Sequence, residues 1–89
     1  IIPDMANEKV ALISGANKGI GLETARQLAA QGYQVLIGAR KAQEGQAAAA
    51  SIGPNAHFVE LDLTNPATFR SAADFIEKTF GHLDALVNN

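Results

Sequence analysis

Short apolar runs alternate along the chain with longer stretches in which apolar residues recur at helical spacing. The runs begin near Val10, Tyr33, His57 and Asp84. The first, Val10-Ala11-Leu12-Ile13, is wholly aliphatic, and the second, Gln34-Val35-Leu36-Ile37-Gly38-Ala39, is polar only at its start. Strands without polar alternation are those covered on both faces of a parallel sheet. The third run is His57-Phe58-Val59-Glu60-Leu61-Asp62, and Ala85-Leu86-Val87-Asn88-Asn89 starts a fourth.

The stretches between them read as helices. One runs from about Ile20 to Ala30 and presents Gly21, Ala25, Leu28 and Ala29 on one face, with Gly32 as its stop. The next, about Lys41 to Ser51, rests on alanine propensity and ends at Gly53-Pro54. The last is capped by Thr64 or Asn65, has Pro66 in its first turn and ends at Gly81. Its apolar stripe is Phe69, Ala72, Ala73, Ile76 and Phe80, and Arg70–Asp74 and Asp74–Lys78 are spaced to pair on the exposed side. Strand and helix in strict succession imply an α/β fold with parallel strands and right-handed crossovers.

Composition narrows the function classes. Eighty-nine residues make one small domain or part of one, with 47% hydrophobic and 18% charged residues. A net charge of −2 without a basic cluster speaks against nucleic acid or an anionic membrane as partner. The absence of cysteine removes disulfides and thiolate metal sites, and no apolar stretch reaches the length of a membrane span. Cytoplasmic localisation is the default expectation. Ile1-Ile2-Pro3-Asp4 lacks the pattern of a signal peptide, and Met5 reads as an initiator. Residues 1–4 are therefore set apart as an added remnant or a disordered lead, with the domain proper over 5–89.

The chemistry concentrates where the first run meets the first helix: Ser14-Gly15-Ala16-Asn17-Lys18-Gly19-Ile20-Gly21. Three glycines within seven residues let the backbone turn sharply and approach something bulky. The helix that follows aims its free N–H groups and positive dipole end at that gap, where a phosphate or pyrophosphate binds. The spacing is Gly-x-x-x-Gly-x-Gly rather than the common Gly-x-Gly-x-x-Gly, and Lys18-Gly19-Ile20 is not the Gly-Lys-Ser/Thr of a P-loop.

This stretch resembles the opening of the short-chain dehydrogenase/reductase family, Thr-Gly-x-x-x-Gly-x-Gly, with Ser14 in place of the Thr. The segment Gly15-Ala16-Asn17-Lys18-Gly19-Ile20-Gly21 is most similar to the carbonyl reductase branch. The resemblance covers nearly all of this chain and only the front part of the family's domain. It implies a Rossmann-type sheet in the order 3-2-1-4, with two helices on one face and the third on the other, incomplete at its C-terminal side. Exposed sheet surface and an open edge at the fourth strand would then favour self-association.

The resemblance also implies a nicotinamide dinucleotide site. Gly15, Asn17, Lys18, Gly19, Ile20 and Gly21 would form the pyrophosphate turn. Ala39 stands where family members that prefer NAD carry Asp, and Arg40 follows it. Two cations, Lys18 and Arg40, without an acid suit a 2′-phosphate and point to NADP(H). Lys41 beside them reads as a solvated charge. Asp62 and Leu63 match the family's adenine-binding pair, although Asp62 can instead cap the turn that follows. Asn88-Asn89 matches the first half of Asn-Asn-Ala-Gly; Asn89 would line the adenine-ribose side, and Ser14 could tie the first and fourth strands. His57 and His82 read as solvated element ends, and Phe58, Phe69 and Phe80 as core.

The family's catalytic Ser, its Tyr-x-x-x-Lys motif and its helix Asn are expected beyond residue 89; Tyr33 has no Lys four residues on. These 89 residues carry no catalytic residue and no metal ligand on this reading. They are expected to form the NADP(H)-binding part of an oxidoreductase that reduces a small carbonyl substrate, and to be inactive alone. The alternative is a shortened, non-catalytic module that holds a nucleotide or docks a partner chain.

Overall fold

The computed structural model describes residues 8–89; the expectation for residues 1–4 lies outside them. Four strands, β1 (Val10–Ser14), β2 (Gln34–Ala39), β3 (Ala56–Glu60) and β4 (Ala85–Val87), alternate with α1 (Gly19–Ala30), α2 (Ala42–Ile52) and α3 (Ala67–Thr79). The sheet is parallel throughout and ordered β3-β2-β1-β4, as the resemblance implies. Leu12 sits opposite Leu36 on one side and Leu86 on the other.

The absence of alternation in the central strands has its cause in two separate cores. Ala11, Ile13, Val35 and Ile37 point to one face and are covered by α1 and α2 through Ala25, Ala48 and Ala49. Val10, Leu12, Leu36 and Val59 point to the other and pack on Ala72, Ile76 and Phe80 at the end of the chain's third crossover. Both sets are buried, so polar residues are confined to the ends of the central strands, Ser14 in β1 and Gln34 in β2. Small residues bring the helices close. A Cβ on Gly45 would stand 2.2 Å from the Phe58 ring, so α2 lies directly against the aromatic face of β3.

Helix α3 departs from the expected stripe. Thr68, Ala72 and Ile76 are its buried residues, whereas Phe69 is 42% exposed and Ala73 is exposed. The helix begins after an Asp62–Asn65 bridge. The buried Thr68 hydroxyl accepts the Asp62 N–H at 3.0 Å and lies 2.8 Å from the Asn65 carbonyl, so the Thr68 side of the first turn faces inward. Asn65 rather than Thr64 caps the helix, accepting the Ala67 N–H at 3.3 Å. Arg70, Asp74 and Lys78 form no ion pair with one another; the pairs among the described residues are Glu23–Arg26, Lys41–Glu44 and His82–Asp84. The second face is only partly covered, leaving Leu83 and Leu86 exposed beside β4. No described helix is long and apolar enough to cross a membrane.

Neither histidine is a free element end. His57 lies within β3, half-buried, with Nε2 2.8 Å from Gln34 Oε1 and its ring edge-on to Phe80. Burial pushes its pKa down. His82 clamps the bottom of the sheet. Its Nε2 is 2.7 Å from the Glu8 carbonyl and 3.1 Å from Asp84 Oδ2, while Nδ1 is 3.0 Å from the Phe80 carbonyl. Asp84 in turn accepts the Val10 N–H at 2.7 Å, where β1 begins. Carbonyl oxygens only accept, so both ring nitrogens are called on to donate, which is the imidazolium form. The Glu8 carbonyl, and then Asp84, raise the His82 pKa.

A raised folded-state pKa gives stabilisation that is complete below the unfolded value of about 6.5 and is lost as pH climbs through the folded value. His57, depressed by burial, acts in the opposite sense, losing stability as pH falls. Thermal unfolding followed by circular dichroism between about pH 6.5 and 8.5 should therefore show a falling midpoint with rising pH. In His82→Gln that slope should disappear; an unchanged slope would remove the clamp from the account.

Candidate functional site

The carboxyl ends of all four strands open into one cavity of about 660 Å³, in the range of small-molecule sites. Its rim is made where each strand ends: Ser14 closing β1 with Gly15 and Asn17 after it, Ala39 closing β2 with Arg40 after it, Leu61 to Thr64 after β3, and Asn88 and Asn89 after β4. Its floor is apolar, formed by Leu12, Leu61, Phe69 and Leu86. The chain order reverses between β1 and β4, and this is where open α/β sheets bind ligands.

The turn between β1 and α1 is built for close approach. Gly15 and Gly19 adopt φ of +63° and +62°, which L side chains rarely take. Nothing lies within 4 Å of where a Gly19 Cβ would be, so the backbone faces open space. Gly21 is the opposite case: a Cβ there would meet the Gly15 carbonyl oxygen and Asn89 Nδ2, both at 2.6 Å. Lys18, at the cap position of α1, is extended and makes no side-chain cap, and the helix's first internal bond runs from the Leu22 N–H to the Lys18 carbonyl at 3.3 Å. The preceding N–H groups are thus directed toward the gap above the strands. An open backbone cradle, an uncapped helix start and cationic neighbours fit the pyrophosphate of a dinucleotide.

A small network holds this turn. The Ser14 hydroxyl accepts the Asn89 N–H at 3.0 Å and directs its own proton toward Asn88 Oδ1 at 3.3 Å or the Val87 carbonyl at 3.4 Å. Asn89 Nδ2 donates to the Gly15 carbonyl at 3.2 Å. Ser14 thus ties β1 to the residues after β4, and Asn89 braces the glycine turn.

Of the residues singled out in the sequence, Gly15, Asn17, Arg40, Asp62, Leu63 and Asn89 line the cavity. Lys18, Gly19, Ile20 and Gly21 stand at the helix start beside it rather than on its wall; Ile20 and Lys18 are exposed. Asp62 does cap its own turn: Oδ1 accepts the Thr64 hydroxyl at 2.7 Å and the Thr64 N–H at 2.9 Å. Those bonds, hydroxyl first, hold its pKa below the usual carboxylate range, with a smaller contribution from Arg40. Its ionised carboxyl is therefore positioned at the rim, and its second oxygen makes no such bond with the described residues. Sequence reading missed the apolar floor and placed Phe69 in the core; Phe69 is partly exposed and stands on the cavity wall, while Thr68 takes the inward position. It also missed Glu44, whose Oε1 accepts from Asn17 Nδ2 at 3.0 Å. The spacing Asp-x-Thr at 62–64 was a local signal for the Thr64 bond; nothing local marked Glu44. Among the described residues no group of three or more His, Cys, Asp or Glu stands together as a metal ligand set.

The family model for short chain dehydrogenases matches residues 9–89. Short-chain dehydrogenase/reductase 1 of Saponaria officinalis is 44% identical over 91 residues, spanning 96% of this chain and 30% of that protein. The structure of salutaridine reductase from Papaver somniferum superposes with a TM-score of 0.87 at 41% identity, over 92% of this chain and 30% of that one. Actinorhodin polyketide ketoreductase, solved with NADPH, gives 0.86 at 30% identity, over 94% and 33%. The chain thus spans about a third of the length of the proteins it matches.

The Gly21 contacts generate a test. Gly21→Ala should cost about 1–3 kcal/mol, because backbone at both ends of the clash must move. Denaturant unfolding should show this loss although alanine is the better helix former by ~1 kcal/mol. A neutral or stabilising result would mean that the turn and Asn89 do not pack on α1 as described.

Proposed function

The chain belongs to the short-chain dehydrogenase family, and on that premise we propose that it is the NADP(H)-binding front part, from Met5 onward, of an oxidoreductase that reduces a carbonyl compound. The observation that carries the cofactor choice is Arg40. It follows β2 directly, lines the cavity, and is preceded by Ala39 rather than an acid that would bind a free 2′-hydroxyl. Its guanidinium suits a 2′-phosphate, which it can meet with two parallel hydrogen bonds. Lys18 adds charge from the helix start. The reductases among the relatives, one of them solved with NADPH, support the same direction of reaction.

The cofactor, when bound, supplies the hydride. This chain's residues bind and orient it. The N–H groups at the start of α1 and the glycine turn receive the pyrophosphate, with Asn17 beside it. Arg40 selects the ribose phosphate, Asp62 accepts from the adenine amino group, and the Leu63 N–H donates to the ring. Asn89 keeps the turn in shape and closes the ribose side. No residue between 8 and 89 is assigned a proton-transfer role, and Tyr33 lies at the opposite end of β2 from the cavity.

Calorimetric titration of the parent enzyme with NADP and NAD tests the assignment. A charged hydrogen-bonding contact contributes ~1.5–3 kcal/mol, so Arg40→Ala should weaken NADP binding roughly 10- to 150-fold and leave NAD nearly unchanged. Ala39→Asp should shift the preference toward NAD. Equal losses for both cofactors would refute the 2′-phosphate role. The 89-residue chain alone should oxidise no NADPH above background with ketones, aldehydes or quinones, since binding without stabilisation of the transition state gives no acceleration.

A further inference from the structure

Glu44 has no part in the reading above, yet its carboxylate touches the phosphate turn. Oε1 accepts from Asn17 Nδ2 at 3.0 Å, and Oε2 lies 3.7 Å from Lys41 Nζ. Asn17 and Arg40 line the same cavity. A negative charge is therefore held one side chain away from the wall, at the mouth where Arg40 and Lys41 gather positive charge. Both members of the Lys41–Glu44 pair are half-exposed or more, so the pair adds little to stability. Its consequence is electrostatic: it engages a cation that could otherwise face an incoming phosphate, occupies the Asn17 amide donor, and repels an anion arriving beside Arg40.

We propose that Glu44 is a specificity-determining residue that restrains the preference for a 2′-phosphorylated cofactor. The inference rests on the assignment of Arg40 to the 2′-phosphate. The two cofactors share the pyrophosphate and differ at the 2′ position, so a charge acting there changes their ratio. A carboxylate beside a phosphate that carries about 1.5 to 2 charges weakens its binding by Coulomb repulsion, and salt screens that repulsion.

The test uses the parent enzyme, its Glu44→Gln variant and two probes, 2′,5′-ADP and 5′-AMP, by isothermal titration calorimetry. Gln keeps the acceptor for Asn17 and removes only the charge. Glu44→Gln should bind 2′,5′-ADP roughly 2- to 4-fold more tightly at about 50 mM salt, with the gain vanishing near 1 M as screening takes over. Binding of 5′-AMP should change by less than about 1.5-fold, and Glu44→Asp, which keeps the charge, should behave as the unaltered enzyme does. No tightening, equal tightening of both probes, or a gain that persists in high salt overturns the proposal. Arg40→Ala in the same series separates the two ideas: if it abolishes the advantage of 2′,5′-ADP while Glu44→Gln does nothing, the NADP reading stands and the Glu44 role fails. If the unaltered enzyme shows no Arg40-dependent preference, both fall.

Discussion

The contact of α1 with the turn that precedes it governs the site. The helix starts so close to the Gly15 carbonyl and to Asn89 that a single Cβ at Gly21 would collide with both. This proximity brings the uncapped helix start over the carboxyl end of β1. It also joins the turn to the residues after β4, because the same Asn89 side chain that limits Gly21 donates to Gly15. Moving any one of the three would open the cradle, so the open glycine turn is also a packing constraint of the sheet.

The two faces of the sheet do different work. Helices α1 and α2 bury one face with small side chains, and the closest approach, Gly45 on Phe58, leaves no room for adjustment. Helix α3 covers only part of the other face. Leu86, 65% exposed, lies in the uncovered part and forms the apolar floor of the cavity together with Leu12, Leu61 and Phe69. Polar rim and apolar floor therefore belong to one surface, a common arrangement where a ligand with charged and flat apolar parts must be held.

Charge is arranged along this rim rather than accumulated. Arg40 and Lys41 follow β2, Asp62 follows β3, and Glu44 reaches back from α2 to Asn17. Asp62 is kept ionised by Thr64 and is committed to its own turn through one oxygen. Glu44 is committed to Asn17 and Lys41. At the far end of the sheet His82 and Asp84 bind the start of β1, so the strand that carries the glycine turn is fastened at both ends by side chains.

The sequence by itself determined the order of elements, their approximate bounds and the residues of the glycine turn. These follow from local rules: apolar runs buried on both faces, glycines where φ is positive or space is short, and a helix after the turn. It also placed Arg40, Asp62, Leu63 and Asn89 at strand ends, which a parallel sheet gathers on one edge. Tertiary structure alone decided the rest. The burial of Thr68 rather than Phe69 on α3 goes with hydrogen bonds of Thr68 with Asp62 and Asn65, which helical periodicity does not encode. The carboxylate of Glu44 meets Asn17 from 27 residues away, through the packing of α2 beside the turn. His82 becomes a clamp because folding brings the Glu8 carbonyl to it across 74 residues. Contacts between elements distant in the chain carry no local signature, because either partner would look like an ordinary solvated side chain until the sheet assembles.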